Sequence, residues 1–125
     1  MTKKVLIVDD DKDSARLLEV IVSALGYEVK KLFDGSAAEA TIMEYQPYLI
    51  LLDLMMPKVH GYMILQQLRV NPKLAQIKVI IVSAKSYQAD KNKALELGAN
   101  GYITKPFRRA ELEAEVKRLL TGEAA

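Results

Sequence analysis

Short apolar runs alternate along the chain with stretches in which hydrophobic residues recur roughly every three to four positions. The runs Lys4–Val8, Glu28–Phe33, Leu49–Leu52, Lys78–Val82 and Gly101–Ile103 have strand length and are bounded by turn residues. After the first run, Ser14, Leu18, Ile21, Val22 and Leu25 share one face of a predicted helix, and Gly26 supplies its stop. A second helix follows Asp34-Gly35, carries Ala38, Ile42 and Tyr45 inward and ends before Pro47. A third opens near Gly61 with Ile64, Leu65 and Leu68 on one side and stops at Asn71-Pro72.

The fourth helix, from Ser86 to Leu97, has a thin apolar stripe of Ala89, Ala94 and Leu97. Burial docks such a helix weakly, so it is the element expected to shift most easily. In the last helix Leu112, Val116, Leu119 and Leu120 form the buried stripe, and Thr121-Gly122 ends it. Strict alternation of strands and helices predicts an α/β fold: a parallel sheet covered on both faces. No repeat, linker or low-complexity segment interrupts it, so residues 1–125 read as one domain with no output domain attached.

Composition narrows the chemistry by exclusion. With no cysteine in 125 residues, disulfides, thiolate zinc sites and cysteine nucleophiles are ruled out. Met1-Thr2-Lys3-Lys4 leads straight into a strand-like run and not into a signal peptide. No stretch approaches the roughly 20 apolar residues of a membrane span, and a cytoplasmic location without membrane contact is expected. The net charge of +2 hides an asymmetry: residues 1–62 carry a net −3 and residues 63–125 a net +5. The acids of the first half cluster at strand ends, as a cation site requires. The basic excess of the second half reads as a solvated helical face or as a phosphate-backbone footprint.

Asp53 closes the apolar run Tyr48-Leu49-Ile50-Leu51-Leu52, and Asp9, Asp10 and Asp11 close Val5-Leu6-Ile7-Val8. A carboxylate at the end of a doubly buried strand is costly unless it has a partner or a task. In an open parallel sheet, the carboxyl ends of the strands are where ligands bind. Four strands would bring Asp9 and Asp10, Asp53, Ser83, and Lys105 with Pro106 to one edge. Oxygen donors of this kind suit Mg²⁺, and Mn²⁺ as well. An ionised Asp53 is a competent nucleophile toward phosphorus, and the Lys105 ammonium and Ser83 hydroxyl could hold a phosphoryl group's oxygens. Asp11 and Asp13 read as charges at a helix N-terminus.

The motifs Val5-Leu6-Ile7-Val8-Asp9-Asp10-Asp11, Leu51-Leu52-Asp53-Leu54-Met55-Met56-Pro57, Ile81-Val82-Ser83-Ala84 and Gly98-Ala99-Asn100-Gly101-Tyr102-Ile103-Thr104-Lys105-Pro106-Phe107 resemble the receiver domain of two-component response regulators over essentially the whole chain. The resemblance implies a flavodoxin-like (βα)5 three-layer sandwich with strand order 2-1-3-4-5. It makes Asp53 the phosphoacceptor for a histidine kinase or phosphotransfer protein. Asp9, Asp10, Asp53 and the backbone carbonyl of Met55 would hold Mg²⁺, and Ser83 and Lys105 the phosphoryl oxygens. Tyr102 would be an aromatic switch responding to Ser83, although its ring also reads as plain core packing. A cis Lys105-Pro106 bond is implied too.

The same resemblance implies a downstream effector that reads the fourth helix, fifth strand and fifth helix, and a homodimer through the fourth-helix to fifth-helix face. Direct nucleic-acid contact is not expected, since no helix-turn-helix follows the last helix. The chain would catalyse its own phosphorylation and dephosphorylation without being a conventional turnover enzyme. A Mg²⁺-dependent phosphohydrolase would place a second acid two residues after the nucleophile, where this chain has Met55. A binding module that has lost phosphorylation would lack some of the required side chains, and all are present. His60 departs from the family, where an acid is common; it reads as a solvated residue opening the third helix, or as a metal or proton-relay group.

Overall fold

The computed structural model describes residues 3–56 and 59–121, which form five parallel strands and five α-helices. The strands are β1 (Lys4–Val8), β2 (Glu28–Leu32), β3 (Leu49–Leu52), β4 (Lys78–Ser83) and β5 (Gly101–Thr104). The helices are α1 (Lys12–Ala24), α2 (Ala38–Tyr45), α3 (Gly61–Val70), α4 (Gln88–Glu96) and α5 (Arg109–Thr121). The sheet order is β2-β1-β3-β4-β5, the flavodoxin-like arrangement expected. None of the helices is long and apolar enough to cross a membrane among the described residues.

Side chains alternate between faces along each strand, so one sheet builds two cores. Val5, Ile7, Leu49, Leu51, Ile80, Val82 and Ile103 pack with α1 and α5. Leu6, Val8, Ile50, Leu52, Val79 and Ile81 pack on the other face with α2, α3 and α4. Each of these aliphatic side chains contributes about 1.5–3 kcal/mol relative to exposure. Burial on both faces explains why the central strands read as continuous apolar runs. The edge strand β2 is half-covered, and its Lys30 and Lys31 discourage pairing with another sheet.

Several boundaries move from their sequence-based positions. Phe33 lies beyond β2 and is 37% exposed, while β4 and β5 each gain one residue. Tyr48 precedes β3 and is exposed; its backbone joins the ladder, its N–H donating to Lys4 O and its carbonyl accepting from Lys78 N. A 3-10 turn over Gly35–Ala37 precedes α2. In α1, Ala15 is buried and Ser14 is half-buried. The fourth helix is shorter than expected and Ala94 is its one buried residue among those described; Ala89 faces solvent. Gly122, expected to stop the last helix, lies outside the described residues.

Where apolar burial is thin, one side chain supplies polar connections. Arg69, at the end of α3, donates from Nε and Nη2 to Gly98 O (3.0 and 2.9 Å) and from Nη1 to Ala75 O and Ile77 O (3.0 and 2.8 Å). Nη2 also reaches Asn100 Oδ1 at 3.1 Å, and that same oxygen accepts from Val79 N at the start of β4. Gly98 must be glycine: its φ is +103°, and an added Cβ would sit 2.7 Å from Arg69 Nε. Arg69→Ala should cost about 3 kcal/mol by orphaning these acceptors. Arg69→Lys should recover little, since one ammonium cannot reproduce the planar fork. Urea denaturation of both variants checks this.

Candidate functional site

The sheet ladder itself sets the level of the acidic residues. Asp9 N donates to Leu32 O and Asp53 N donates to Val8 O, both at 3.0 Å, so pairing continues one step past β1 and β3. The two carboxyl groups therefore emerge side by side where the strand order reverses, the crevice position of this fold. Each side chain is then oriented by a backbone N–H two residues further on. Asp11 N donates to Asp9 Oδ1 (2.9 Å) and Met55 N to Asp53 Oδ1 (3.1 Å). With both Oδ1 atoms held, the Oδ2 atoms turn to a common partner.

That partner is Lys105. Lys105 N donates to Ser83 O at 2.8 Å beyond the β4–β5 ladder, and the Lys105-Pro106 peptide is cis, as the resemblance implied. Its ammonium lies 2.7 Å from Asp9 Oδ2 and 3.3 Å from Asp53 Oδ2. Asp9 and Asp53 are buried, whereas Asp10 is exposed. Burial pushes the Asp9 carboxyl above the ordinary range despite Lys105 and the Asp11 N–H, and the Asp53 charge pushes the same way. Burial alone would lower the Lys105 ammonium, but its hydrogen bond to Asp9 and the charges of Asp53 and Asp9 prevail and raise it. One ammonium shared between two carboxylates therefore stays charged and leaves the buried acid under-compensated.

Oxygens of Asp9, Asp10 and Asp53 all lie within 4.8 Å of one another. Three carboxylates and one ammonium leave an excess of two negative charges, which a divalent cation would neutralise through hard oxygen ligands. The donor set therefore fits a metal such as Mg²⁺. Met55, expected to add its carbonyl, is 55% exposed beside the site, and the structure fixes its N–H on Asp53.

The sequence-predicted hydroxyl, Ser83, is buried at the end of β4, and its Oγ accepts from Lys85 N at 3.3 Å. Tyr102 on β5 is half-buried, and its Oη donates to Lys85 O at 2.8 Å. Burial first, with the negative charge of Asp90 assisting, pushes this phenol up to about 12, so it remains a donor at neutral pH. Both expected switch residues thus grip one residue of the loop before α4.

Two side chains at the site, Ser14 and Tyr62, were not legible as its members. Ser14 shares the apolar stripe of α1, yet its Oγ lies 3.3 Å from Lys105 Nζ and completes the ammonium's three contacts. Asp11 caps α1 by accepting from Asp13 N and Ser14 N, as its position suggested. Tyr62 reaches α4, where its Oη donates to Asp90 O at 3.1 Å.

His60 is the N-cap of α3, its Nδ1 accepting from Tyr62 N at 3.2 Å while the two rings stack with centroids 4.7 Å apart. Burial, then Lys85 and Lys93, hold its imidazole below the ordinary value against the opposing charges of Asp53 and Asp90. A lowered folded-state value means that the unfolded chain takes up the proton first. The His60 contribution is therefore complete above about pH 6.5 and is lost as pH falls through the folded value. His60→Ala should cost about 1 kcal/mol at neutral pH. His60→Asn, a cap that does not titrate, should flatten the acid-side loss seen by urea denaturation across pH.

A family model described as the response regulator receiver domain matches residues 5–117. The probable transcriptional regulator ycf27 of Cyanophora paradoxa is 43% identical over 118 residues, covering 94% of this chain and 48% of that protein. The DNA-binding dual master transcriptional regulator RpaA of Synechocystis sp. is 38% identical over 117 residues, covering 94% and 48%. This chain thus spans about half the length of the curated relatives it matches. The expectation of no direct nucleic-acid contact draws no support from such relatives. A crystal structure of a putative response regulator from Chloroflexus aurantiacus superposes with a TM-score of 0.92 at 31% identity, covering 97% of this chain and 99% of that one. A structure titled as the BeF3-activated DrrB receiver domain gives 0.85 at 30% identity, covering 97% and 99%.

Proposed function

The chain belongs to the response regulator receiver domain family, and from that membership we propose that it is a switch worked by phosphorylation of Asp53. The observation that carries this reading is the Lys105 ammonium bridging Asp9 and Asp53 inside a cluster of oxygens able to hold a divalent cation. A histidine kinase or phosphotransfer protein supplies the phosphoryl group from a phosphohistidine. An Asp53 carboxylate oxygen bonds to phosphorus as the P–N bond breaks, and the departing imidazole keeps the electron pair and takes up a proton.

Each neighbouring side chain has a part in that step. Lys105 neutralises charge on the phosphoryl oxygens, and Ser83 donates its hydroxyl to one of them. Asp9, Asp10, Asp53 and the Met55 carbonyl would hold Mg²⁺ or Mn²⁺, which supplies Lewis-acid neutralisation of the transferring group. The protein turns over its own acyl phosphate and no separate substrate, so it is not a conventional enzyme. A kinase partner implies a cytoplasmic site of action.

The new charge is read at the surface through Ser83 and Tyr102. Ser83 can serve the phosphoryl group by giving up the Lys85 N–H it now accepts, which loosens the loop that Tyr102 also holds. The face formed by α4, β5 and α5 then meets an effector or a second receiver; Tyr87 and Leu95 lie exposed on its α4 side. By analogy with the relatives named as transcriptional regulators, the regulated output is transcription. Incubation with acetyl phosphate and Mg²⁺ tests the reading: the intact mass should rise by one phosphoryl group, and EDTA should prevent it. An unchanged mass with the metal present would overturn it.

A further inference from the structure

We propose that Tyr62 is a positioning residue that latches α4 to α3 in the unphosphorylated protein and thereby sets how tightly the site takes a phosphoryl group. The proposal deepens the phosphorylation reading and rests on it. Its starting point is how little else holds α4: Ala94 is its one buried residue, against four each on α1 and α3. Tyr62 compensates with two contacts to that helix. Its Oη donates to Asp90 O at 3.1 Å, and Lys93 Nζ lies 5.3 Å from the centre of its ring. Among the described residues, the Asp90 bond is the one side-chain hydrogen bond from another element to α4.

The latch is firmly rooted. The Tyr62 N–H is capped by His60 Nδ1, and its ring is stacked on the imidazole, so the side chain is held from behind. Burial, helped by the Asp90 charge, raises the phenol and keeps the donor protonated. One residue earlier, Gly61 N donates to Leu54 O at 3.0 Å, which seats the start of α3 on the peptide next to Asp53. A continuous path of hydrogen bonds and stacked rings therefore runs from the phosphoacceptor's backbone to α4. It reaches α4 from α3, whereas Ser83 and Tyr102 hold Lys85 in the loop before that helix.

The sign of its effect follows from linkage. If phosphorylation draws Ser83 away from Lys85 and α4 moves away from α3, the Tyr62–Asp90 bond is lost in the activated state. Removing the hydroxyl then removes part of the cost of activation, so a phosphoryl mimic must bind more tightly. A single neutral hydrogen bond corresponds to about a two- to tenfold change.

The test titrates beryllofluoride with Mg²⁺ into the wild-type and Tyr62→Phe proteins, followed by backbone amide spectra. Tyr62→Phe should bind the mimic about two- to tenfold more tightly. Without the mimic, its α4 amides should lie part-way toward the wild-type bound positions. Tyr62→Leu, which also removes the ring contacts, should shift further in the same direction. Equal or weaker binding by Tyr62→Phe overturns the latch, including the case where the variant is only less stable to urea. Failure of the wild-type protein to bind beryllofluoride overturns the phosphoacceptor reading and the latch together, so the two failures are distinct.

Discussion

Asp53→Asn is expected to abolish Mg²⁺-dependent acyl phosphate formation while leaving the fold intact. The amide is nearly isosteric with the carboxylate, and its oxygen can still accept the Met55 N–H that now binds Asp53 Oδ1 at 3.1 Å. What disappears is the anionic nucleophile and one of the charges that make the cluster attractive to a divalent cation. Neutralising Asp53 also relieves its repulsion of Asp9, whose carboxyl is already strained by burial. Lys105 would then serve Asp9 alone. Stability without metal should therefore be equal to wild type or slightly higher, and the stabilisation by added Mg²⁺ should shrink. Intact mass after acetyl phosphate and Mg²⁺ reads the first effect, and thermal melts with and without Mg²⁺ read the others. A mass gain that persists in Asp53→Asn would move the acceptor to another residue.

Asp53, Asp9, Ser83 and Lys105 were legible in the sequence because the fold uses local periodicity to put distant residues at one edge. Each stands at the end of an apolar run, and a parallel sheet with strict strand–helix alternation has one carboxyl edge. Period-2 and helical spacings are properties of a few consecutive residues, so β1 and β3 came out with their exact limits. What periodicity could not supply was the identity of the neighbour across a packed interface. Ser14 shares a stripe with Leu18 and Ile21, but the head of that stripe meets Lys105 and not an aliphatic side chain. Ala89 belongs by spacing to the thin apolar stripe of α4 but faces solvent; Tyr62, from a different helix, does part of the docking. Arg69 escaped notice because it acts on backbone carbonyls of loops, whose positions depend on the finished fold.

The electrostatic design of the site follows from the same edge. Backbone N–H groups fix one oxygen of each buried acid, so the other oxygens converge without any dedicated positioning side chain. The cost is an acid, Asp9, that is hard to ionise in isolation and eased by whatever positive charge arrives. A group arranged this way senses a cation strongly. It also explains why Lys105, reaching in from the end of β5, pairs with both acids at once.

Gly61→Ala is expected to produce the largest loss of stability of any single methyl addition near the site, and to lower phosphorylation with it. A Cβ at this position would lie 2.6 Å from Asp53 O, 2.8 Å from Leu54 Cα and 3.1 Å from Leu54 Cδ2. The first two atoms are backbone, so no rotamer change relieves the clash. Leu54 is itself buried in the core, and Gly61 N is bonded to Leu54 O, so α3 cannot simply withdraw. Either α3 lifts, breaking that bond and unseating Ile64 and Leu65, or the Asp53–Leu54 peptide rotates. Overpacking of this kind costs on the order of 3 kcal/mol, which for a domain of this size corresponds to roughly 10 °C in melting temperature. Rotation of the peptide would also turn the Asp53 side chain away from Lys105, so initial phosphorylation by acetyl phosphate should fall even at temperatures where the variant is folded. Gly35→Ala makes a useful contrast: its nearest neighbours are all side-chain atoms, the tips of Met56 and Ile64 at 3.0 and 3.2 Å and Val59 Cβ at 3.2 Å. The two tips can yield and Val59 needs only a small shift, so that variant should melt closer to wild type than Gly61→Ala and phosphorylate normally. If Gly61→Ala melts like Gly35→Ala, the close seating of α3 on the end of β3 is not what holds Asp53 in place.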